Sequence, residues 1–290
     1  MRACSITPAS RETASSIEWL NCSKAADSSK RSPELAGGIG QPRRRVKLLV
    51  FGHSDTDGSR LANQRDGWPW VLQDLLREAG VETEVVHRLL FAGPSAASFV
   101  ERQLEKERPD FVVIALSTYG VVVQLVSNRL RERFGQPVAS AAERFERFVS
   151  RHPARHGSNQ ERALTAIRRG GRRLIGTRPS LTLSGLLESY TDCFSVLARA
   201  ENVHTIVLGG ASYTRQLAQL NPRLYETQAE VGRTLRAAAL ERHFDWILHE
   251  DLLGSGETRL GFFQPDGVHT DERSQRLVAE ALLPLVLAKV

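Results

Sequence analysis

Val46-Lys47-Leu48-Leu49-Val50-Phe51 runs directly into Gly52-His53-Ser54-Asp55-Thr56-Asp57-Gly58. The first six residues are apolar apart from Lys47, and a glycine closes the run. A short apolar run bounded by turn residues predicts a strand buried on both faces, which is the signature of a parallel sheet. The turn that follows supplies a serine two residues past the strand-ending glycine. In a parallel α/β sheet, ligands sit beyond the carboxyl ends of the strands. This stretch therefore predicts both a fold class and a place to look for chemistry.

Outward from it, helix and strand patterns alternate. Trp70–Ala79 has helical spacing and Gly80 stops it. Val81–Val86 alternates like a strand, and Ser98–Lys106 reads as a helix. Phe111–Leu116 is a third strand, and Leu187–Ala200 another helix. Thr205–Leu208, closed by Gly209-Gly210, is a fourth strand, and Ala229–His243 a helix. Trp246–His249 is a weak fifth strand before a last amphipathic helix, Arg273–Val286. Strands separated by helices build βαβ units, so the expected architecture is a three-layer α/β/α sandwich with a short parallel, flavodoxin-like sheet. Residues 121–178 interrupt the rhythm. Helical pattern over 138–149 and 160–169, broken by Gly170-Gly171, predicts a helical insertion.

Composition narrows the function classes. Of 290 residues, 41% are hydrophobic and 25% charged, an ordinary globular balance. No apolar run reaches the ~18 residues that a spanning helix needs. Three scattered cysteines, Cys4, Cys22 and Cys193, suit neither a disulfide scaffold nor a zinc site, and no metal or other cofactor is expected. The net charge of +6 is unevenly placed. Residues 129–178 hold thirteen arginines against four acids, and residues 1–47 hold nine Lys/Arg against four acids. The remainder is mildly acidic. A whole-molecule nucleic-acid surface is disfavoured, and the Arg-rich segment has no interleaved aromatics. Its arginines either stay solvated on the outer faces of the insertion or attract an anionic substrate or partner such as coenzyme A, an acyl carrier protein or an acidic sugar.

Residues 1–45 are rich in Ser, Ala, Gly and Pro and show neither helical nor strand period, so a disordered basic extension is expected there. Met1-Arg2 is followed by no apolar stretch of signal-peptide type, which makes the cytoplasm the expected location. One domain is expected over 46–290.

The chemistry is concentrated at two places. Ser54 follows the first strand. Asp266 and His269 stand in Pro265-Asp266-Gly267-Val268-His269, just before the last helix. A carboxylate and an imidazole three apart can both face inward, the first orienting the second toward a nucleophile. His53, beside the serine, is read as a rim side chain. His87, His204, His243 and His249 are read as structural, and Trp68 and Trp70 as packing over the first helix.

On these residues the chain from about 46 to 288 resembles the SGNH/GDSL hydrolases. Gly52-His53-Ser54 with Thr56 resembles the family's Gly-Asp-Ser motif, and Asp266-x-x-His269 matches its last motif outright. The second motif's glycine falls on Gly93, and the third motif, Gly-x-Asn-Asp, on Ser117-Thr118-Tyr119-Gly120. Ala281-Leu282-Leu283-Pro284 continues the last-helix pattern. The resemblance implies a serine esterase or acyl hydrolase acting on a small carboxylic ester. Ser54 would be nucleophile, His269 base and Asp266 orienter, with backbone N–H groups of Ser54 and Gly93 binding the oxyanion. Three positions depart from the pattern: His53 replaces Asp, Ser117 replaces Gly, and Tyr119 replaces the oxyanion-binding Asn. Tyr119 either supplies a phenol in place of that amide or fills the pocket. An acyltransferase using the same serine and a catalytically weak binding protein are the alternative functions.

Overall fold

The computed structural model describes residues 45–122, 126–141, 144, 179–210, 221–254, 261–264 and 268–290. The expected N-terminal extension, the helix over 160–169, most of the Arg-rich insertion and Asp266 lie outside these residues.

Five strands form one parallel sheet in the order β2-β1-β3-β4-β5. They are β1 (Arg45–Gly52), β2 (Glu82–Leu89), β3 (Phe111–Ala115), β4 (His204–Gly209) and β5 (Asp245–Leu248). The three central strands are the three most continuous apolar runs of the sequence, as burial on both faces requires. β3 is buried at every position, and β1 at all but Arg45 and Lys47.

Alternate side chains sort into two cores. Leu49, Phe51, Val112, Ile114 and Val207 face one layer, packing on α2 (Ala96–Glu107), α5 (Leu183–Ala198) and α6 (Leu224–Glu241). Val46, Leu48, Val50, Val113 and Ile206 face the other, on α1 (Trp68–Glu78) and α8 (Glu272–Leu287). Full burial of each such side chain stabilises the fold by roughly 1.5–3 kcal/mol. Polar contacts fix the sheet's rim. Glu107 of α2 accepts from Lys47 Nζ at 2.9 Å on β1 and from Arg88 Nη2 at 2.8 Å on β2.

The expected elements appear, with local differences. α1 begins at Trp68, because Pro69 suits the first turn of a helix, where its missing N–H costs nothing. β5 ends at Leu248, and His249 opens a short helix, α7 (His249–Leu252), instead of closing the strand. Two helices that the pattern did not foretell follow β3: α3 (Tyr119–Val122) and α4 (Val126–Phe134). Part of the helix expected over 138–149 is described, as helical backbone through residues 136–141.

Gly52 decides how β1 turns into the site. A Cβ built on it would lie 2.3 Å from Thr56 Oγ1 and 2.4 Å from Thr56 Cβ. Thr56 is itself buried, its N–H donating to the His53 carbonyl at 2.8 Å. The turn therefore folds back onto the glycine, and only a residue without a side chain fits. Gly52→Ala forces the turn to shift, and overpacking of this kind costs about 1–3 kcal/mol. The expected result is a thermal midpoint lower by roughly 3–10 °C, read by calorimetry or circular dichroism.

Candidate active site

Ser54 and His269 meet at the carboxyl ends of the strands. Ser54 Oγ lies 2.9 Å from His269 Nε2, although 215 positions separate them in the chain. Ser54 sits in the turn after β1. His269 sits in the loop that enters α8. That loop is pinned on its far side: the Gln264 N–H donates to the His269 carbonyl at 2.8 Å, and the Asp271 N–H to the Phe262 carbonyl at 2.8 Å. Asp271 then caps α8, accepting from the Ser274 N–H at 3.0 Å.

The pair opens into a pocket of about 420 Å³. That volume is within the usual range for a small-molecule site. Its walls are mostly apolar: Trp68, Leu90, Phe91, Leu116, Leu181 and Leu208 contribute. Phe91 is 72% exposed and Tyr119 45% exposed, so both stand at the solvent side of the lining. Arg60 is the arginine of the described lining, and it forms no ion pair among the described residues.

The other residues expected to act are placed as follows. Tyr119 opens α3 and lines the pocket. Its N–H donates to Ser117 Oγ at 3.3 Å, and the Ser117 N–H donates to the buried Tyr190 hydroxyl at 2.9 Å. The third motif is thus tied to α5 underneath it. Gly93 is placed differently from the expectation. It is not among the lining residues, and its N–H donates to Ser189 Oγ at 2.8 Å. That donor is committed to α5, 96 residues away in sequence, so it is not directed at an oxyanion here. The Ser54 N–H donates to no group among the described residues.

Two more histidines reach the pocket. His53 is half-buried beside Ser54, with the Asp55 N–H 3.4 Å from its Nδ1. Burial holds its pKa below the ordinary imidazole value, and the neighbouring His269 adds to this; Asp55 and the Leu116 carbonyl oppose it. His249, read from sequence as structural, also lines the site. Its Nε2 lies 2.8 Å from Ser274 Oγ, bridging α7 to the first turn of α8. Burial pushes its pKa down to about 4, with His53 adding and Asp55 opposing. No local pattern signalled this, because the contact joins two segments 25 residues apart. Trp68 is buried as expected but also forms part of the pocket wall. His204 pairs with Asp245 at 2.6 Å and His243 turns the chain after α6; neither lines the pocket.

Among the described residues no group of His, Cys, Asp and Glu could hold a metal ion, and no helix is long and apolar enough to cross a membrane.

The molecule is a parallel α/β/α sandwich in which a serine after the first strand is hydrogen-bonded to a histidine before the last helix. Solved structures share this fold. The crystal structure of TesA matches with a TM-score of 0.51 at 19% identity, over 84% of this chain and 99% of TesA. A G-D-S-L family protein from Desulfitobacterium hafniense DCB-2 matches with a TM-score of 0.50 at 12% identity, over 83% of this chain and 99% of that one. No protein-family model matches the sequence, and no curated protein does. The chain has the SGNH/GDSL hydrolase fold.

The buried His249 makes a stability prediction. Its folded pKa of about 4 lies below the unfolded value, so the unfolded chain binds the extra proton first. The stability it permits is complete above pH ~6.5 and falls as pH drops toward 4, by about 3 kcal/mol in all. His53 and His87, both lowered chiefly by burial, act in the same direction. Unfolding free energy measured in urea from pH 7 to 4 should decline, and His249→Gln should decline less steeply over that window.

Proposed function

We propose that the protein is a serine esterase that cleaves a carboxylic ester through a Ser54 acyl-enzyme. The observation that carries this reading is the 2.9 Å contact between Ser54 Oγ and His269 Nε2 at a pocket of about 420 Å³. A serine hydroxyl is a weak nucleophile until an adjacent base takes its proton. In this reading Ser54 Oγ attacks the ester carbonyl carbon while its proton passes to His269 Nε2. The tetrahedral intermediate collapses, the C–O bond to the alcohol breaks, and His269 returns the proton to the leaving oxygen. Water then attacks the acyl-enzyme and gives a proton to His269. The acid leaves as that proton returns to Ser54. Asp266, outside the described residues, is assigned the orienting role on sequence grounds.

The oxyanion needs donors aimed at it. We assign the Ser54 N–H as the first, since it is committed to no described group. Tyr119 supplies the second through its phenol, because the Gly93 N–H is already given to Ser189. The Ser54–His269 contact opens into the pocket, which supports the enzyme over a binding protein that has abandoned catalysis. The apolar walls suit an uncharged acyl group. Arg60 suits a carboxylate or phosphate on the rest of the substrate.

A fluorophosphonate probe should label the wild-type protein on Ser54, located by mass spectrometry. Ser54→Ala and His269→Ala should each lower esterase turnover by roughly ten-thousandfold or more. Tyr119→Phe should lower kcat by about a hundredfold with little change in KM. Full activity in Ser54→Ala would sink the reading.

The Arg60 assignment has its own measurement. kcat/KM toward an anionic ester should fall about tenfold from low to high salt, and toward a neutral ester of the same acyl group it should stay flat. Arg60→Gln should remove the salt dependence.

A further inference from the structure

Ser54 and His269 are each flanked by a residue of one compact polar cluster. Asp55 follows the serine and Thr270 follows the histidine. The Thr270 N–H donates to Asp55 Oδ1 at 2.8 Å, and its hydroxyl lies 2.9 Å and 3.0 Å from the two carboxylate oxygens. Gln275, in the first turns of α8, completes the cluster. Its Nε2 donates to the Asp55 carbonyl at 3.0 Å and to Thr270 Oγ1 at 2.8 Å, while its Oε1 accepts from the Trp68 N–H at 3.0 Å. Thr270 and Gln275 are buried, at 1% and 0% exposure. Water therefore competes poorly for these bonds, and a buried polar network holds its members firmly only when each is satisfied.

We propose that Asp55 is a positioning residue: its carboxylate clamps the His269 loop onto the Ser54 turn and sets the nucleophile–base distance. The inference rests on the esterase reading. It follows from chemistry on either side of the contact. Ser54 Oγ and His269 Nε2 share a single bond, worth about 0.5–1.5 kcal/mol net, which is too little to hold two loops in register. The clamp adds a charge-assisted bond from a backbone N–H, a hydroxyl–carboxylate bond and two amide bonds, centred on the residues next to each reacting side chain. A carboxylate is the group that can accept from the N–H and the hydroxyl of one residue together. Asp55 acts through Thr270, the residue next to His269. Its effect is on geometry, and a displacement of about 1 Å at such a pair can cost a hundredfold in rate.

The test is kcat per fluorophosphonate-titrated site, with KM and the thermal midpoint measured alongside. Asp55→Ala should lower kcat per titrated site by about thirty- to a hundredfold and slow the labelling rate similarly, with KM within about twofold. Asp55→Asn keeps an acceptor for the Thr270 N–H and should lose about tenfold or less. Thr270→Val keeps that N–H but removes the hydroxyl and should fall between. The double variant Asp55→Ala with Thr270→Val should be no slower than Asp55→Ala alone, since both remove one clamp. Should Asp55→Ala fail to fold, Asp55→Asn and Thr270→Val decide the matter. A purely structural role would lower the midpoint and the number of titratable sites while leaving kcat per site unchanged, and that result overturns the proposal. So do losses that multiply in the double variant. Absence of labelling in the wild type would instead overturn the esterase reading itself.

Discussion

A contact across 215 positions of chain is the constraint on which the rest of this structure depends. Closing a flexible loop of that length costs about 5 kcal/mol of chain entropy. The Ser54–His269 bond supplies about 1 kcal/mol. Packing must provide the difference, and it does so where α8 lies against α1 and the sheet. Val278, Leu282 and Val286 of α8 are fully buried beside Leu72 and Leu76 of α1. Five such side chains contribute about 7–15 kcal/mol, which exceeds the closure cost. The helix that delivers His269 is thus held by its apolar face, while its first turn carries the polar groups that aim the imidazole.

The same burial shapes the electrostatics. Three histidines gather at one pocket, and like charges there would oppose a protonated His269. Desolvation resolves the conflict. Burial lowers the pKa of both His53 and His249, so near neutral pH these rings are uncharged neighbours. His249 then serves as a hydrogen-bonding strut to Ser274. His53 stands where the family pattern has an acid, and as a neutral ring it brings no negative charge to the serine. The carboxylate nearest to Ser54 along the chain is Asp55, on the other side, and it is spent on Thr270. Acidification costs stability because the neutral rings must either stay unprotonated or leave their sites.

Much of this was legible in the sequence because it is local. The buried strands β1, β3 and β4 are uninterrupted apolar runs, and the helices between them carry the helical period. Ser54 and His269 were visible from their places after the first strand and before the last helix. What escaped the sequence is what depends on pairing between distant segments. Nothing near Gly93 announces that Ser189 will take its N–H. Nothing in the pattern around His249 places it in the pocket, since its partner is on α8. The helix α3 is only four residues long, too short to show a period, and in α4 Arg129, Arg131 and Arg133 leave the apolar period too sparse to register. Asp55 read as an ordinary turn residue because its partners, Thr270 and Gln275, are more than 200 residues away.

Gln275 shows how economically the fold joins these parts. α1 begins without a side-chain cap of its own; of its first N–H groups, that of Trp70 goes to the Gly67 carbonyl, while that of Trp68 has no helical partner. Gln275 Oε1 accepts the Trp68 N–H and so satisfies one of them from a different helix. The other end of the same amide holds Asp55 and Thr270. One buried side chain therefore fixes the start of α1, the serine turn and the histidine loop relative to α8. An apolar residue of similar size would pack in its place, yet would leave a buried N–H and a buried carbonyl unpaired, at about 1–3 kcal/mol each. A glutamate would keep the acceptor for Trp68 but set a second carboxylate against Asp55. Only the amide presents an acceptor on one side and a donor on the other, which is what a joint between a helix start and a carboxylate clamp requires.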